Sequence, residues 1–391
     1  MYQYPKIILK PGKEASLRRF HPWVFSGAVS RAEGTVGEGD IVEVLSSRNE
    51  FLALGHYAGS SIAVKVFSFI RKEVNDDFWI EKLKAAYVLR EQLGLTDSPL
   101  TNAYRLVFSE GDSLPGLIID FYNGLVVIQT HSTGMHRHKA VFVKALQEIY
   151  GDQLKAIYDK SGETMKIPVE NQLLIGNSMK TQILETGHRF LVDCEKGQKT
   201  GFYLDQRSNR MFAQFYAKDR KVLNAFCYSG AFSVYALKGG AKNVLSVDSS
   251  RQAIEWAGEN IALNGFSSSQ HRTLIADVKQ FLSDPDETFD MIILDPPAFA
   301  KTHSVTHNAL QAYIHINRRA IQRLNPGGIL FTFSCSQAIS HDMFRSAVLS
   351  ASLETGRELR ILHHLTQGPD HPVTIHHPEG DYLKGLIMAA E

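Results

Sequence analysis

From about residue 181 onward, strand-like and helix-like runs alternate along the chain. KVLNAF precedes GAFSVYAL, NVLSVD precedes RQAIEWAGENIALNG, and HRTLIAD precedes VKQFLSD. FDMIILD leads into a long polar loop and helix, and GGILFTFS into SHDMFRSAVLSAS. Strands joined through helices do not form hairpins. The repeat therefore predicts a parallel sheet with helices on both faces, an α/β fold of the Rossmann-like kind. Sheets of this kind take ligands at the carboxyl ends of their strands, near the point where strand order reverses. The residues at those ends are the first candidates for function.

The first strand runs into Asn224-Ala225-Phe226-Cys227-Tyr228-Ser229-Gly230, and Gly230 opens the next helix. This is not GxGxxG, so a pyrophosphate cradle is weakly supported. The second strand ends in Asp248, eighteen residues after Gly230. A carboxylate there can accept from two ribose hydroxyls, or it can cap the helix that starts near Arg251. The third strand ends in Asp277, which either meets an adenine amino group or caps the following helix. A small-residue turn and two strand-end aspartates favour a nucleoside ligand without a pyrophosphate. S-adenosylmethionine fits that description.

The fourth strand ends in Asp295-Pro296-Pro297-Ala298-Phe299. Two prolines cannot continue a central strand, so they fix Asp295 at an extended turn. DPP followed by an aromatic resembles the fourth motif of methyltransferases that act on nucleic-acid bases; a plain strand-ending turn is the alternative. The fifth strand ends in Ser334-Cys335-Ser336, forty residues after Asp295. A lone cysteine is usually a small buried hydrophobe, and Cys194 and Cys227 are read that way. Cys335 differs in its company. If the fourth and fifth strands are neighbours, Asp295 and Cys335 face one pocket, and a thiolate there is a nucleophile.

Three widely spaced cysteines in 391 residues argue against a disulfide framework and a CxxC zinc site, and fit a reducing, cytoplasmic setting. The sixteen histidines, His363-His364 and His376-His377 among them, lack metal-ligand spacing. The opening MYQYPKIILKPGKEASLRRF has no signal-peptide pattern. No uninterrupted apolar window reaches 18 residues, so no membrane helix is expected. Net charge is +1, so any nucleic-acid affinity must come from a local patch. One such patch opens the chain: residues 1–31 hold Lys6, Lys10, Lys13, Arg18, Arg19 and Arg31 against Glu14.

Residues 1–72 read as short strands between turns, suggesting a small barrel. Residues 73–180 mix helical spacing (75–95, HKAVFVKALQEIYG) with strand-like runs, suggesting a small α+β domain. Residues 181–391 carry the alternating pattern.

Taken in order, the motifs resemble one family along nearly the whole chain. GKEASLRRFHPWVFSGAV (12–29), EGDSLPGLIIDFY (110–122), GQKTGFYLDQRSNR (197–210), FCYSGAFSV, LDPPAFAK, TFSCS, DHPV (370–373) and PEGDYLKG (378–385) are similar to the RlmI-type 23S ribosomal RNA cytosine-C5 methyltransferase family. The resemblance implies an N-terminal PUA RNA-binding domain, a middle domain and a class I methyltransferase domain using S-adenosylmethionine. It implies 23S ribosomal RNA or a large-subunit assembly intermediate as partner; nothing in the sequence argues for or against a homodimer.

Carried over position by position, the resemblance places Lys199, Asp205, Gln206 and Arg207 at the cofactor. Phe226, Ser229 and Gly230 would line its methionine side, with Asp248 on the ribose and Asp277 near the adenine. Asp295 and Cys335 would be catalytic, Asp295 also bordering the cofactor. Lys13, Arg18 and Arg19 would contact RNA, although the arginine pair also reads as a solvated face. Related enzymes carry a second cysteine after a proline of the fourth motif. Here that stretch is Asp295-Pro296-Pro297-Ala298, which agrees with the single-cysteine type. Phe299 or Tyr203 is a candidate to stack on the target base. Asp370-His371-Pro372, Glu379 and His21-Pro22-Trp23 read as turns. Two rival functions fit the same strands: methylation of a purine nitrogen, and RNA binding without catalysis in ribosome assembly.

Overall fold

The structure, a computed structural model, describes residues 4–284, 286–300 and 306–391; Lys301 of the LDPPAFAK motif lies outside them. The chain divides into two units, one of residues 1–184, 192–204 and 369–380, the other of 185–191, 205–368 and 381–391.

In the first unit, the turn-bounded runs pair into a six-stranded sheet. β1 (Lys6–Leu9), β2 (Trp23–Phe25), β3 (Val29–Glu33), β4 (Ile41–Leu45), β5 (Phe51–Tyr57) and β6 (Ile62–Ser68) lie in the order β2-β6-β5-β4-β1-β3. A short helix, α1 (Ala15–Arg18), separates β1 from β2. Ile7, Leu9, Val42, Val44, Val64 and Val66 meet in the core of this sheet. β-Branched side chains at alternate positions suit a half-buried pleat.

A second sheet follows in the same unit. α2 (Asp76–Gln92) starts at Asn75, whose side chain accepts from the Phe78 N–H at 3.0 Å, as an N-cap should. β7 (Ala103–Phe108), β8 (Leu117–Tyr122), β9 (Leu125–Thr130), β10 (Ala156–Asp159) and β11 (Gln172–Ile175) lie in the order β11-β10-β9-β8-β7. α3 (Thr133–Arg137) and α4 (Lys139–Tyr150) connect β9 to β10. Leu83 of α2 and Phe142 and Leu146 of α4 share a core with Ile119, Val126 and Ile157. The chain passes to the second unit along the hairpin β12 (Lys180–Glu185) and β13 (His188–Asp193).

The second unit is the α/β fold that the alternation predicts. After α5 (Arg207–Tyr216) come β14 (Lys221–Ala225), α6 (Ala231–Lys238), β15 (Asn243–Asp248), α7 (Arg251–Leu263), β16 (His271–Ile275) and α8 (Val278–Ser283). Then follow β17 (Phe289–Leu294), α9 (Thr306–Gln322), β18 (Leu324–Ser334), α10 (His341–Thr355), β19 (Leu359–Leu365) and β20 (Lys384–Ala390). Strand order is β16-β15-β14-β17-β18-β20-β19. β14 to β18 run parallel, and β20 runs antiparallel between β18 and β19.

The chain steps one way from β14 to β16, then returns to place β17 and β18 on the other side of β14. Strand order thus reverses between β14 and β17. Right-handed crossovers running in opposite directions cover opposite faces. Accordingly α5, α6 and α7 pack in series, as do α8, α9 and α10. Leu223, Ile292, Leu330 and Met388 from four adjacent strands pack with Tyr313, Ile316, Phe344 and Val348 of α9 and α10. Each such burial stabilises by about 1.5–3 kcal/mol. Among the described residues, no helix is long and apolar enough to cross a membrane.

Candidate active site at the carboxyl edge of the sheet

Pairing aligns the ends of the five parallel strands. Ala225 pairs with Val247 and with Leu294, Asp248 with Ile275, and Leu294 with Thr332. Ser229, Gly230, Asp248, Asp277, Asp295 and Cys335 therefore lie along one edge of the second unit, and β14 and β17 flank the reversal point.

The turn after β14 is the most strained backbone at this edge. Phe226 (φ +60°) and Tyr228 (φ +45°) are non-glycine residues in the left-handed region, with Gly230 at φ +75°. Such residues persist where their surroundings fix them, often at functional sites. Cys227 N–H donates to Val247 O at 3.1 Å, and Gly230 N–H to Cys227 O at 2.9 Å. The Tyr228 N–H donates to Asp248 Oδ2 at 3.0 Å. Asn260 Nδ2 donates to the carbonyl of buried Ser229 at 2.9 Å. A Cβ on Gly230 would stand 2.8 Å from Ala257 Cβ, so only glycine lets α7 approach this closely.

The two strand-end aspartates separate. Asp248 does not cap α7: Ser250 does, accepting from the Ala253 N–H at 3.3 Å. Asp248 instead holds the turn, its Oδ1 accepting from the Ser250 N–H at 2.9 Å. Asp277 does cap α8, accepting from the Gln280 N–H at 2.9 Å, and is exposed.

A buried polar chain reaches Asp295 from the start of α5. Gln206 Nε2 donates to Asp295 Oδ2 at 3.0 Å, while Gln206 Oε1 accepts from Asn209 Nδ2 at 2.6 Å. Asn209 Nδ2 also donates to Thr366 O at 3.1 Å. Beside it, Asp205 Oδ2 accepts from Tyr382 Oη at 2.5 Å. Arg207 lies 3.5 Å from Glu185, which Arg210 grips bidentately at 2.7 Å on both oxygens.

Cys335 sits between two fully buried serines and is itself partly exposed. Ser334 Oγ donates to Tyr313 Oη at 2.9 Å, and Ser336 Oγ lies 3.0 Å from the same hydroxyl. The Ala300 N–H donates to Ser336 Oγ at 3.3 Å, tying this loop to the one after Asp295. Its two neighbours are thus anchored inward on α9. Phe299 is committed to packing on Tyr313, ring centroids 4.8 Å apart.

The remaining predicted residues lie in the first unit. Lys199 (φ +51°) is exposed, its ammonium 4.6 Å from the Tyr203 ring centroid, and Tyr203 Oη donates to Gln198 at 2.6 Å. Lys13 and Arg19 are exposed, and Arg18 pairs with Glu50 at 2.5 Å.

Residues 168–386 match the family model described as S-adenosylmethionine-dependent methyltransferase, and residues 7–69 match a PUA-like domain. A Tolumonas auensis protein named ribosomal RNA large subunit methyltransferase I is 40% identical, covering 98% of this chain and 99% of its own. The chain belongs to the ribosomal RNA large subunit methyltransferase I family. The Erwinia tasmaniensis protein of that name is also 40% identical, over 97% of this chain and 98% of its own. A solved Streptococcus mutans structure described as a SAM-dependent methyltransferase shares the fold, with a TM-score of 0.85, 22% identity and coverage of 98% and 99%. So does a methyltransferase complexed with SAH, with a TM-score of 0.86, 23% identity and the same coverage.

The edge residues of this methyltransferase fit its cofactor. S-adenosylmethionine has no phosphate, and the turn offers a single glycine instead of a phosphate cradle. Asp248, relieved of capping by Ser250 and held by two backbone N–H groups, is a fixed carboxylate of the kind that takes ribose hydroxyls. Sequence reasoning missed Asn209, Tyr313, Tyr382 and Lys384. Tyr382 and Lys384 stand in the PEGDYLKG motif, which was legible as a motif but without a place in the fold.

Proposed function

We propose that this methyltransferase forms 5-methylcytosine in 23S ribosomal RNA through a covalent adduct between Cys335 and C6 of the target base. The observation that carries the reading is the pairing of β17 with β18. It sets Asp295 and Cys335 at the carboxyl ends of adjacent parallel strands, beside the reversal point. The names of the relatives support ribosomal RNA of the large subunit as substrate, and that reaction suits a cytoplasmic enzyme.

C5 of cytosine is a poor nucleophile. Attack by the Cys335 thiolate forms the S–C6 bond and moves the C5–C6 π electrons onto the ring, enriching C5. Asp295 hydrogen-bonds the N3 and amino edge and offsets charge there as the adduct forms. Bound S-adenosylmethionine supplies the electrophilic methyl group. Loss of the C5 proton to a base then restores the double bond and expels the Cys335 thiolate. The base must leave the RNA stack to reach Cys335, at a cost of roughly a few kcal/mol. Gln206 and Asn209 hold Asp295; Asp248, Phe226, Ser229, Gly230 and Asp205 bind the cofactor, with Arg207 and Asp277 at its margins. Residues 1–72, with Lys13, Arg18 and Arg19, grip RNA phosphates.

The test is methyl transfer to unmodified 23S ribosomal RNA by the Cys335→Ala enzyme, with mass spectrometry of the digested product. We expect 5-methylcytidine from the unsubstituted enzyme and none from the variant. Full activity in the variant, or a methylated purine as product, overturns the reading.

A further inference from the structure

Lys384 opens β20 opposite Ser334, in antiparallel register with the end of β18. It is only 2% exposed, an unusual fate for a lysine unless its charge is answered. Its ammonium donates to Ser336 O at 2.7 Å and to Tyr382 O at 2.7 Å. It thus binds the backbone on the far side of Cys335 to the segment that carries Tyr382, the partner of Asp205. The two serines that flank Cys335 are anchored on Tyr313, and Lys384 stands on the neighbouring strand.

We propose that Lys384 is a positioning residue that holds Cys335 in its thiolate form and fixes the loop that presents it. This rests on the reading of Cys335 as the nucleophile. The thiol proton leaves to solvent before the base arrives, and the sulfur lone pair is then ready to form the bond to C6. The charged groups that face Lys384 are Cys335 from the end of β18 and Asp381 from its own approach; Tyr313 of α9 also feels the charge of Cys335. Burial pushes the Lys384 ammonium down to about 8, and the charges of Cys335 and Asp381 push it back up. The interaction is reciprocal: an ammonium beside this loop favours the charged form of the thiol.

The experiment is the pH dependence of Cys335 alkylation by iodoacetamide in the full chain without RNA, read by peptide mass spectrometry. Burial pushes the thiols of Cys194 and Cys227 well up, so they serve as slow internal references. We expect a midpoint for Cys335 below the ordinary thiol value of about 8.5. In Lys384→Met it should rise by about one unit or more, cutting alkylation at pH 7 by about tenfold. Lys384→Arg should restore most of the shift, and Lys384→Gln, which keeps a donor but no charge, should not. A wild-type midpoint at or above about 8.5 overturns the proposal even if every variant unfolds. So does a folded Lys384→Met or Lys384→Gln with the wild-type midpoint. Alkylation needs no methyl transfer. If Cys335→Ala still makes 5-methylcytidine while the Lys384 shift is found, the nucleophile reading fails and the electrostatic one stands.

Discussion

Two cysteines follow strands of the same sheet at the same edge, and the structure treats them oppositely. Cys227, after β14, is 6% exposed and packs on Ile254 and Ala257. Burial pushes its thiol well up, and the charge of Asp248 pushes in the same direction. Cys335, after β18, is partly exposed and flanked by anchored serines, and the buried ammonium of Lys384 donates to the carbonyl of the next residue, Ser336. Residue type and strand-end position are shared. What differs is the burial of the sulfur and the lysine bound to the loop that carries it.

Exchanging each thiol for a methyl tests that contrast most directly. Cys335→Ala should lower the rate of 5-methylcytidine formation by more than about 10³-fold, since removing a nucleophile removes the pathway and not one contact. S-adenosylmethionine affinity, measured by calorimetry, should stay within about twofold, because the loss lies in chemistry and not in ground-state binding.

Much of this contrast was legible beforehand, and the reasons for the rest are physical. β14 to β18 were readable because each ends in a strand-like run that is followed by a helix. Their end residues could therefore be named before any pairing was known. β20, KGLIMAA, is buried between two strands, so it shows a continuous apolar run without alternation, which does not distinguish strand from helix. β19, LRILHHL, is an exposed edge whose His363-His364 pair looks like loop. Without these two strands Lys384 had no position beside the end of β18. The strand before Cys335 also begins earlier than Gly327. Leu324-Asn325-Pro326 joins β18 across a register shift opposite Phe289, a place where proline is tolerated. At Asp248 both readings of the sequence had equal local support; Ser250, two residues on, decided it by taking the cap.

The turn holding Cys227 should matter for the cofactor. Asp248→Ala removes the fixed carboxylate and should weaken S-adenosylmethionine by about 10–100-fold, the scale of losing charge-assisted hydrogen bonds. Unchanged affinity by calorimetry would remove Asp248 from the ribose. Gly230→Ala should cost about 1–3 kcal/mol of stability, read as a lower melting temperature. The added methyl needs a left-handed backbone and meets Ala257 at 2.8 Å. An unchanged melting temperature would mean that α7 can retreat, and that the turn is less fixed than Phe226 and Tyr228 indicate.

The smallest effect is the most discriminating. Cys227→Ala deletes one buried sulfur from a cluster with Ile254 and Ala257, and should cost about 1 kcal/mol in a thermal or urea melt. Its product should remain 5-methylcytidine, at a rate within about threefold of the unsubstituted enzyme, because the sulfur is sealed and uncharged. At pH 8, iodoacetamide should label Cys335 and leave Cys227 largely unmodified until the protein unfolds. If instead Cys227→Ala lost the product as Cys335→Ala is expected to, position at the carboxyl edge would count for more than the surroundings of the thiol. The serine anchors and Lys384 would then be packing detail, and the nucleophile would have to be sought in the turn after β14.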